Sequence, residues 1–281
     1  MLDFLKHLRL NYNFFILSGP FLLGGLFSPG TDIIQFIIYF FSVFVFLFGG
    51  VNAYNSYWDK DEGPIGGLEH PPKMKRWMLY ASWIFQCIGL LIALTSGPIF
   101  TIFYLVSVLF FWLYSSPHTR WKGKPVLSFF AIGISTVICS FIFGYISFGG
   151  KVFNWNLVVA MLGATCLILS MYPLSQLYQI KVDKERGDTT FAVKYGLRGV
   201  KNSFLSFFTL GIILLSWSFL RLLNVLAPVL LVLGTLVGLY VYITLRNMSS
   251  SEKEYQKIMK LKYTGGLIFS LLTLLFLCLG F

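Results

Sequence analysis

Long apolar stretches alternate with short polar segments along the whole chain. Nine of these stretches approach the length of about 20 residues that an α-helix needs to cross a bilayer. Their approximate bounds are 11–29, 33–56, 77–95, 98–115, 126–148, 155–178, 202–220, 226–245 and 263–281. Because backbone groups in lipid must pair within their own segment, we expect continuous helices. The pattern predicts an all-α integral membrane protein with nine transmembrane helices.

The composition agrees with this pattern. Of the 281 residues, 57% are hydrophobic and only 12% are charged, and the mean hydropathy is +0.76. Soluble globular domains carry about 25% charged residues. The composition therefore argues against a disordered chain and against a soluble globule. We interpret residues 1–281 as a single membrane domain.

The basic residues predict the orientation of the helices. The formal net charge is +11, and all 22 Lys and Arg residues except Lys151 and Arg221 fall in loops on one side of the nine spans. Cytoplasmic loops of membrane proteins are enriched in Lys and Arg, so we expect a cytoplasmic N-terminus. The charge is spread over short loops along the membrane, where it would meet membrane lipids. We therefore expect no nucleic-acid partner.

Acidic residues concentrate in two of these loops, and the two loops resemble each other. The segments 54–63 and 178–187 share Tyr, Asp, Lys and Gly at matching positions, and each follows the end of a span. The similarity predicts an internal repeat of helices 1–4 (about 11–115) and helices 5–8 (about 126–245), with 263–281 as an extra ninth helix. Four spans separate the copies, which predicts a parallel repeat.

Each copy of the motif places an amide and a carboxylate four residues apart, which puts them on one face of a helix. The pairs are Asn55 with Asp59, and Gln179 with Asp183. Hard oxygen ligands of this kind suit Mg²⁺ that keeps waters and bridges to substrate phosphates. The alternative is that these are solvated loop carboxylates balancing nearby lysines. For a matched pair of clusters in a charge-poor chain, we favour a binding site.

Basic residues on the same side could bind phosphate. Arg120 and Lys122 lie in the loop 118–124, and Lys184 adjoins Asp183. Arg makes bidentate contacts to phosphate oxygens, and Lys acts as a point charge. The alternative is that these residues only set the orientation of the protein and bind no ligand.

The two motifs, together with the basic loop 114–125, resemble the UbiA superfamily of intramembrane prenyltransferases. The resemblance extends over essentially the whole chain. It implies a bundle of nine helices around a central cavity that opens sideways to the bilayer. It also implies Mg²⁺ as cofactor, an isoprenyl diphosphate as donor, and transfer to a lipophilic acceptor, aromatic or not, with release of diphosphate. The active site would face the cytoplasm.

Carried over residue by residue, the resemblance assigns three sets of site residues. The catalytic residues would be Asn55, Asp59 and Asp183. The diphosphate would be bound by Arg120, Lys122 and Lys184. The metal ligands would be Asn55, Asp59, Asp61, Asp183 and Asp188. Two positions depart from the motifs of the superfamily, since Gly63 and Gln179 replace acids that are usual there, which weakens assignment to any branch.

Two other functions stay open at this stage. A terpene cyclase of the same superfamily would ionise the same diphosphate but use a double bond of the substrate itself as the nucleophile. A transporter or lipid scaffold would also fit a repeat-built membrane bundle. Transporters usually bind their substrates near the midplane with broken helices. Here the acids lie at helix ends, which favours an enzyme.

Overall fold

Helices and short connections make up the computed structural model, which describes residues 1–30, 32–222 and 226–279. In those ranges the only β-type pairing is an isolated bridge between Ile65 and Leu68. Eight described helices are long and apolar enough to cross a membrane. They are Ile33–Asp59, Arg76–Thr95, Pro98–Ser115, Pro125–Ser147, Trp155–Leu177, Phe191–Arg221, Ala227–Arg246 and Glu252–Cys278. The predicted all-α membrane fold is confirmed.

The N-terminal segment differs from a single long span. A short helix, Leu2–His7, is followed by three adjoining pieces, Leu10–Tyr12, a π-helical turn Asn13–Leu17, and Gly19–Leu26. Together these pieces are slightly shorter than the length of about 20 residues that a full crossing needs. The count of nine spans and the cytoplasmic N-terminus therefore stay predictions. The last two residues of the predicted ninth helix lie outside the described residues.

Local signals in the sequence explain where several helices begin and end. The Asp32 side chain accepts a hydrogen bond of 2.9 Å from the Gln35 amide and caps the helix Ile33–Asp59. Asn154 caps Trp155–Leu177 in the same way. Such side chains satisfy amide donors that the first turn leaves unpaired. At the other end, Lys60 adopts a left-handed conformation with φ 49°, so the helix stops at Asp59.

The packing separates an aromatic interior from an apolar exterior. Fully buried rings such as Phe21, Phe44 and Phe143 fill the contacts between helices. Large apolar side chains on the outside, such as Leu91 and Ile102, are more than half exposed. Because these outer faces are apolar, they suit contact with lipid tails. The protein is therefore an integral, multi-pass membrane protein.

Two helices make an unusually close and reciprocal contact. A Cβ atom on Gly24 would overlap the carbonyl oxygen of Phe141, and one on Gly144 would overlap the carbonyl oxygen of Phe21. Only glycine permits this approach of two backbones. The contact fixes Gly19–Leu26 against the second half of the helix Pro125–Ser147.

The second motif lies on irregular backbone, unlike the first. The α-helix that begins at Trp155 ends at Met171, and one short turn, Leu174–Leu177, follows Pro173. Proline has no amide hydrogen and cannot continue the hydrogen bonding of the helix, so the helix breaks at Pro173. Another short helix, Ile180–Glu185, carries Asp183.

Candidate functional site

A cavity of about 320 Å³ lies inside the bundle, and its lining divides into two parts. One end is polar, whereas the remaining wall consists mainly of aliphatic and aromatic side chains such as Val51, Phe111, Ile168, Leu215 and Phe269. The charged and amide side chains at the polar end are Arg9, Asn52, Asn55, Asp59, Asp61, Lys122, Gln179 and Asp183. A largely apolar pocket with a few convergent polar groups is typical of ligand sites.

The first motif is ordered by its own side chains. Asp59 is the last residue of its helix and is buried. The Asn55 amide donates to the Asp59 Oδ2 atom at 2.7 Å and to the Ser115 hydroxyl at 3.1 Å. The spacing of four residues thus brings the two side chains together, as the sequence predicts. Asn55 holds the Asp59 carboxylate in a fixed orientation.

Lys122 neutralises this carboxylate. The Lys122 Nζ atom lies 2.6 Å from Asp59 Oδ1, and the Arg120 Nη1 atom lies 3.6 Å from the same oxygen. Both Lys122 and Asp59 are buried. The basic loop and the first motif therefore form one charge cluster.

Arg120 forms its shortest contacts with another acid, Asp188. Its Nε and Nη2 atoms donate to the two carboxylate oxygens of Asp188 at 2.6 and 2.7 Å. These hydrogen bonds raise the pKa of Arg120 above its ordinary value. Neither residue lines the cavity. The bidentate pair therefore lies behind the cavity wall, where it supports Lys122 and Asp59.

Asp183 of the second motif is buried without a close cation. The Thr190 hydroxyl donates to its Oδ2 atom at 3.1 Å, and no basic nitrogen of the described residues lies within 4 Å of the carboxylate. Burial raises its pKa to about 6, although Lys122 and Thr190 oppose this shift. Of the acids at the polar end, Asp183 is the one whose charge would gain most from a bound cation.

The amide of the second motif does not reach its acid. Gln179 donates to the Pro64 carbonyl at 3.2 Å, although its spacing from Asp183 matches that of Asn55 from Asp59. A second link joins the same two loops, since Arg186 lies 2.6 Å from Asp61. The irregular backbone around Gln179 thus turns its side chain toward the first loop. The two motif loops are held together by these contacts.

Besides Arg120 and Asp188, a third predicted site residue lies outside the cavity lining. Lys184 is exposed, and it does not belong to the cavity lining. The basic side chain that contacts a motif acid from this helix end is Arg186. The structure therefore brings together Asn55, Asp59, Asp61, Lys122 and Asp183, places Arg120 and Asp188 behind them, and leaves Lys184 in the loop.

The donor set fits Mg²⁺ in one particular way. No group of three or more His, Cys, Asp or Glu side chains in the described ranges is arranged to hold an ion by itself. Asp59 and Asp61 already face Lys122 and Arg186, whereas no cation in the described part of the chain pairs with Asp183. Mg²⁺ usually binds one or two carboxylates and completes its shell with waters and substrate phosphates. The residues fit that arrangement and do not form a closed cage.

The sequence reasoning missed two cationic side chains that line the cavity, Arg9 and Lys262. The Arg9 Nη2 atom contacts the Ser56 hydroxyl at 2.6 Å and the Asn55 Oδ1 atom at 3.5 Å, and burial lowers the pKa of Arg9. The Lys262 ammonium donates to the Tyr12 and Ser175 hydroxyls. Lys262 directly precedes the predicted span that begins at 263, and Arg9 lies two residues before the one that begins at 11. Their position beside a span was the sequence signal that could have identified them as site residues. The same position is typical of residues that only set the orientation of the protein, so the signal was ambiguous.

Fold and cavity together define a multi-pass membrane protein with paired acidic and basic groups at one end of an apolar chamber. The model of the UbiA prenyltransferase family matches residues 14–264. The chain therefore belongs to the UbiA prenyltransferase family.

Solved structures share the fold. A UbiA homologue from Archaeoglobus fulgidus superposes with a TM-score of 0.73 at 18% identity, covering 98% of both chains. The same homologue bound to GPP and Mg²⁺ gives 0.73 at 18% identity, covering 95% of this chain and 99% of that one. A digeranylgeranylglyceryl phosphate synthase gives 0.59 at 20% identity, covering 99% and 98%. At these identities the likeness establishes the fold.

A curated relative is a 2-acylphloroglucinol 4-prenyltransferase, chloroplastic, of Humulus lupulus, which is 28% identical over 156 residues. The match covers 52% of this chain and 38% of the relative. The matched region thus spans well under half of that protein.

Proposed function

We propose that this protein is a Mg²⁺-dependent intramembrane prenyltransferase. It moves an isoprenyl group from a polyprenyl diphosphate to a lipophilic acceptor and releases diphosphate. The observation that carries this proposal is the division of the cavity into a charged end and an apolar body. An isoprenyl diphosphate has the same division. Family membership supports the proposal, as does the fold shared with a homologue solved with GPP and Mg²⁺.

The polar end would bind the diphosphate. Asp59 and Asp183, with Asn55 and Asp61, would hold Mg²⁺, which when bound would neutralise the charge that develops on the leaving diphosphate. Lys122 reaches the same end and would bind a phosphate oxygen as a point charge. Bond breaking moves negative charge onto the diphosphate, so fixed positive groups at this end stabilise the transition state.

The remaining site residues have supporting roles in this proposal. Arg120 and Asp188 fix the loop that carries Lys122, and Arg186 fixes the loop that carries Asp61. The apolar wall holds the isoprenyl chain and keeps water from the reacting carbon. The distribution of Lys and Arg supports the proposal that the polar end faces the cytoplasm.

The decisive experiment uses purified protein in lipid with Mg²⁺ and prenyl diphosphates of increasing chain length. Diphosphate release and organic products are followed by mass spectrometry, first without an acceptor and then with a lipid extract of the host. We expect release only with the extract, and a product whose mass is that of an acceptor plus one prenyl group. A matched reaction with the Asp183→Asn variant controls for contaminating hydrolases.

Two outcomes would contradict the proposal. Release without acceptor, with a cyclised hydrocarbon or alcohol as product, would identify a terpene cyclase. No release under either condition, from protein that is folded, would exclude prenyl transfer and favour a transporter or lipid scaffold.

A further inference from the structure

A buried lysine lies on the cavity wall. Lys262 is 5% exposed and lines the cavity. Its Nζ atom donates to the Tyr12 hydroxyl at 2.7 Å and to the Ser175 hydroxyl at 3.2 Å, and it lies 5.1 Å from the centroid of the Tyr12 ring. These three side chains, which we call the Lys262 cluster, come from three separate helical segments.

The charge of Lys262 is not matched by an acid. In the described part of the chain, no carboxylate oxygen lies within 4 Å of its Nζ atom, whereas Lys122, Arg120 and Arg186 each have an acidic partner. A buried charge without a counter-charge is costly. An ionisable residue inside a transmembrane segment therefore indicates a functional partner. A bound anion would compensate the charge of Lys262.

The cluster has hydrogen-bond donors left for this anion. An ammonium group has three donors, and two of them are accounted for by Tyr12 and Ser175. The Ser175 hydroxyl itself donates to the Tyr172 carbonyl. The Tyr12 oxygen accepts from Lys262, so its own hydrogen remains available for donation. Lys262 and Tyr12 can thus each donate one hydrogen bond to the same oxygen-bearing anion.

Space for a ligand adjoins the cluster. Gly265 lies one turn after Lys262 and lines the cavity, and a Cβ atom there would meet nothing within 4 Å. The next glycine differs, because a Cβ atom on Gly266 would lie 2.6 Å from the Phe15 carbonyl oxygen. Gly266 therefore serves close packing, whereas the face that carries Lys262 and Gly265 is open.

This open face continues into an apolar groove. A depression of about 230 Å³ lies between the helices Ala227–Arg246 and Glu252–Cys278. It shares Val237, Val241, Gly265 and Ile268 with the lining of the main cavity. A molecule with an anionic group at the Lys262 cluster would therefore have room for an apolar body in the groove.

We infer that the Lys262 cluster binds the anionic oxygen group, a carboxylate or a phosphate, of the lipophilic acceptor. This inference rests on the proposed prenyl transfer and names the class of its acceptor. It assigns the two kinds of substrate to different parts of the wall. The donor diphosphate binds at the end that carries Asp59 and Asp183, and the acidic acceptor binds at Lys262 with its apolar body beside Gly265.

Binding of fluorescent aromatic acids tests the inference without requiring turnover. The probes are 3-hydroxy-2-naphthoate and 2-naphthyl phosphate, with 3-hydroxy-2-naphthamide as the uncharged control. They are titrated into protein held in nanodiscs of phosphatidylcholine. The variants are Lys262→Met, which removes the charge, Lys262→Arg, which keeps it, and Lys260→Met, an exposed control on the same helix.

We expect wild-type protein and Lys260→Met to bind at least one acid about tenfold more tightly than the amide. Lys262→Met should lose that preference, and Lys262→Arg should retain part of it. A Gly265→Leu variant, which fills the open space, should weaken binding of acid and amide alike. Unfolding midpoints measured for each variant would show that these changes do not reflect misfolding.

Several results would overturn the inference. One is the absence of acid binding to wild-type protein, and another is equal acid affinity in Lys262→Met and wild type. A third is competition from phosphatidylglycerol in the nanodisc, which would make the cluster a site for lipid headgroups. A fourth is competition from geranyl diphosphate without Mg²⁺, which would make it part of the donor site. Failure of prenyl transfer itself would instead appear as absent diphosphate release.

Discussion

The two motif loops resemble each other in sequence but differ in their electrostatics. In the first, Asn55 orients Asp59, and Lys122 neutralises it at 2.6 Å. In the second, Gln179 bonds to the first loop, and among the described residues Thr190 alone donates a side-chain hydrogen bond to Asp183. The first carboxylate is therefore stabilised as an anion by the protein, whereas the second depends on what binds in the cavity.

This difference suggests a division of labour between the two halves of the chain. A carboxylate that is already paired to a buried lysine has two roles, because it positions that lysine and is also available as a metal ligand. A buried carboxylate without a close cation gains more from a metal ion. We therefore expect substitutions at Asp183 to affect metal dependence and substitutions around Asp59 to affect stability as well.

The largest expected effect is on catalysis. Asp183→Asn and Asp59→Asn should each lower kcat by about 10²- to 10³-fold, because each removes charge that the transition state requires. The concentration of Mg²⁺ at half-maximal rate should rise more for Asp183→Asn. Steady-state kinetics across a Mg²⁺ series checks both. Glu185→Gln, an exposed neighbour, serves as the control and should behave as wild type.

Full turnover by either Asn variant would remove that residue from the site. Equal Mg²⁺ dependence in the two variants would remove the proposed asymmetry between the loops.

The next effect is on stability. Lys122→Met leaves the buried Asp59 carboxylate without its close cation, which should lower the free energy of unfolding by roughly 3 kcal/mol. Denaturation with SDS in mixed micelles would measure the loss. Lys124→Met removes an exposed charge from the same loop and should cost far less. Adding Asp59→Asn to Lys122→Met should restore part of the loss, and two fully additive losses would contradict the pairing.

The smallest effect is a dependence on pH in protein free of Mg²⁺. The pKa of Asp183 is raised from 3.8 to about 6, so the folded state binds this proton more tightly than the unfolded chain. Its contribution is fully present below about pH 3.8 and is lost as the pH rises through about 6. The wild type should therefore lose on the order of 1–2 kcal/mol over this range relative to Asp183→Asn.

Unfolding midpoints of wild type and Asp183→Asn, measured from pH 4 to pH 8, would test this. The two curves should converge at low pH and run parallel above about pH 7. Curves that stay parallel throughout would show that Asp183 is not the buried acid described above.

Hydropathy and spacing predicted the architecture and part of the site. The long helices follow the apolar stretches closely, and the Asn55–Asp59 contact follows from a spacing of four on a regular helix. The same spacing did not bring the Gln179 side chain to Asp183, because Gln179 is the N-cap of the short helix Ile180–Glu185 and its side chain donates to Pro64 in the first loop. Local patterns are reliable only where the backbone is regular.

Contacts between distant segments could not be read from the sequence. Lys184 and Arg186 are two residues apart in one basic loop, yet only Arg186 meets an acid of the first loop. Lys262 resembles its exposed neighbour Lys260, and its burial depends on Tyr12 and Ser175 from other helices. Tertiary packing decides which of two neighbouring basic residues is buried or paired, and the spacing of residues in the sequence does not reveal that packing.

The glycine contact between Gly19–Leu26 and the helix that ends at Ser147 has a consequence for the symmetry of the fold. Each helix presents a phenylalanine and, three residues later, a glycine, and each glycine meets the carbonyl of the other helix's phenylalanine. Each helix thus contributes the same pair of groups, a glycine and a phenylalanine carbonyl, to the contact. This reciprocity is the property of a two-fold interface between identical subunits. A half-length chain carrying this face would be able to pair with a copy of itself. Two such halves joined in one chain would therefore need no further interface to pack against each other.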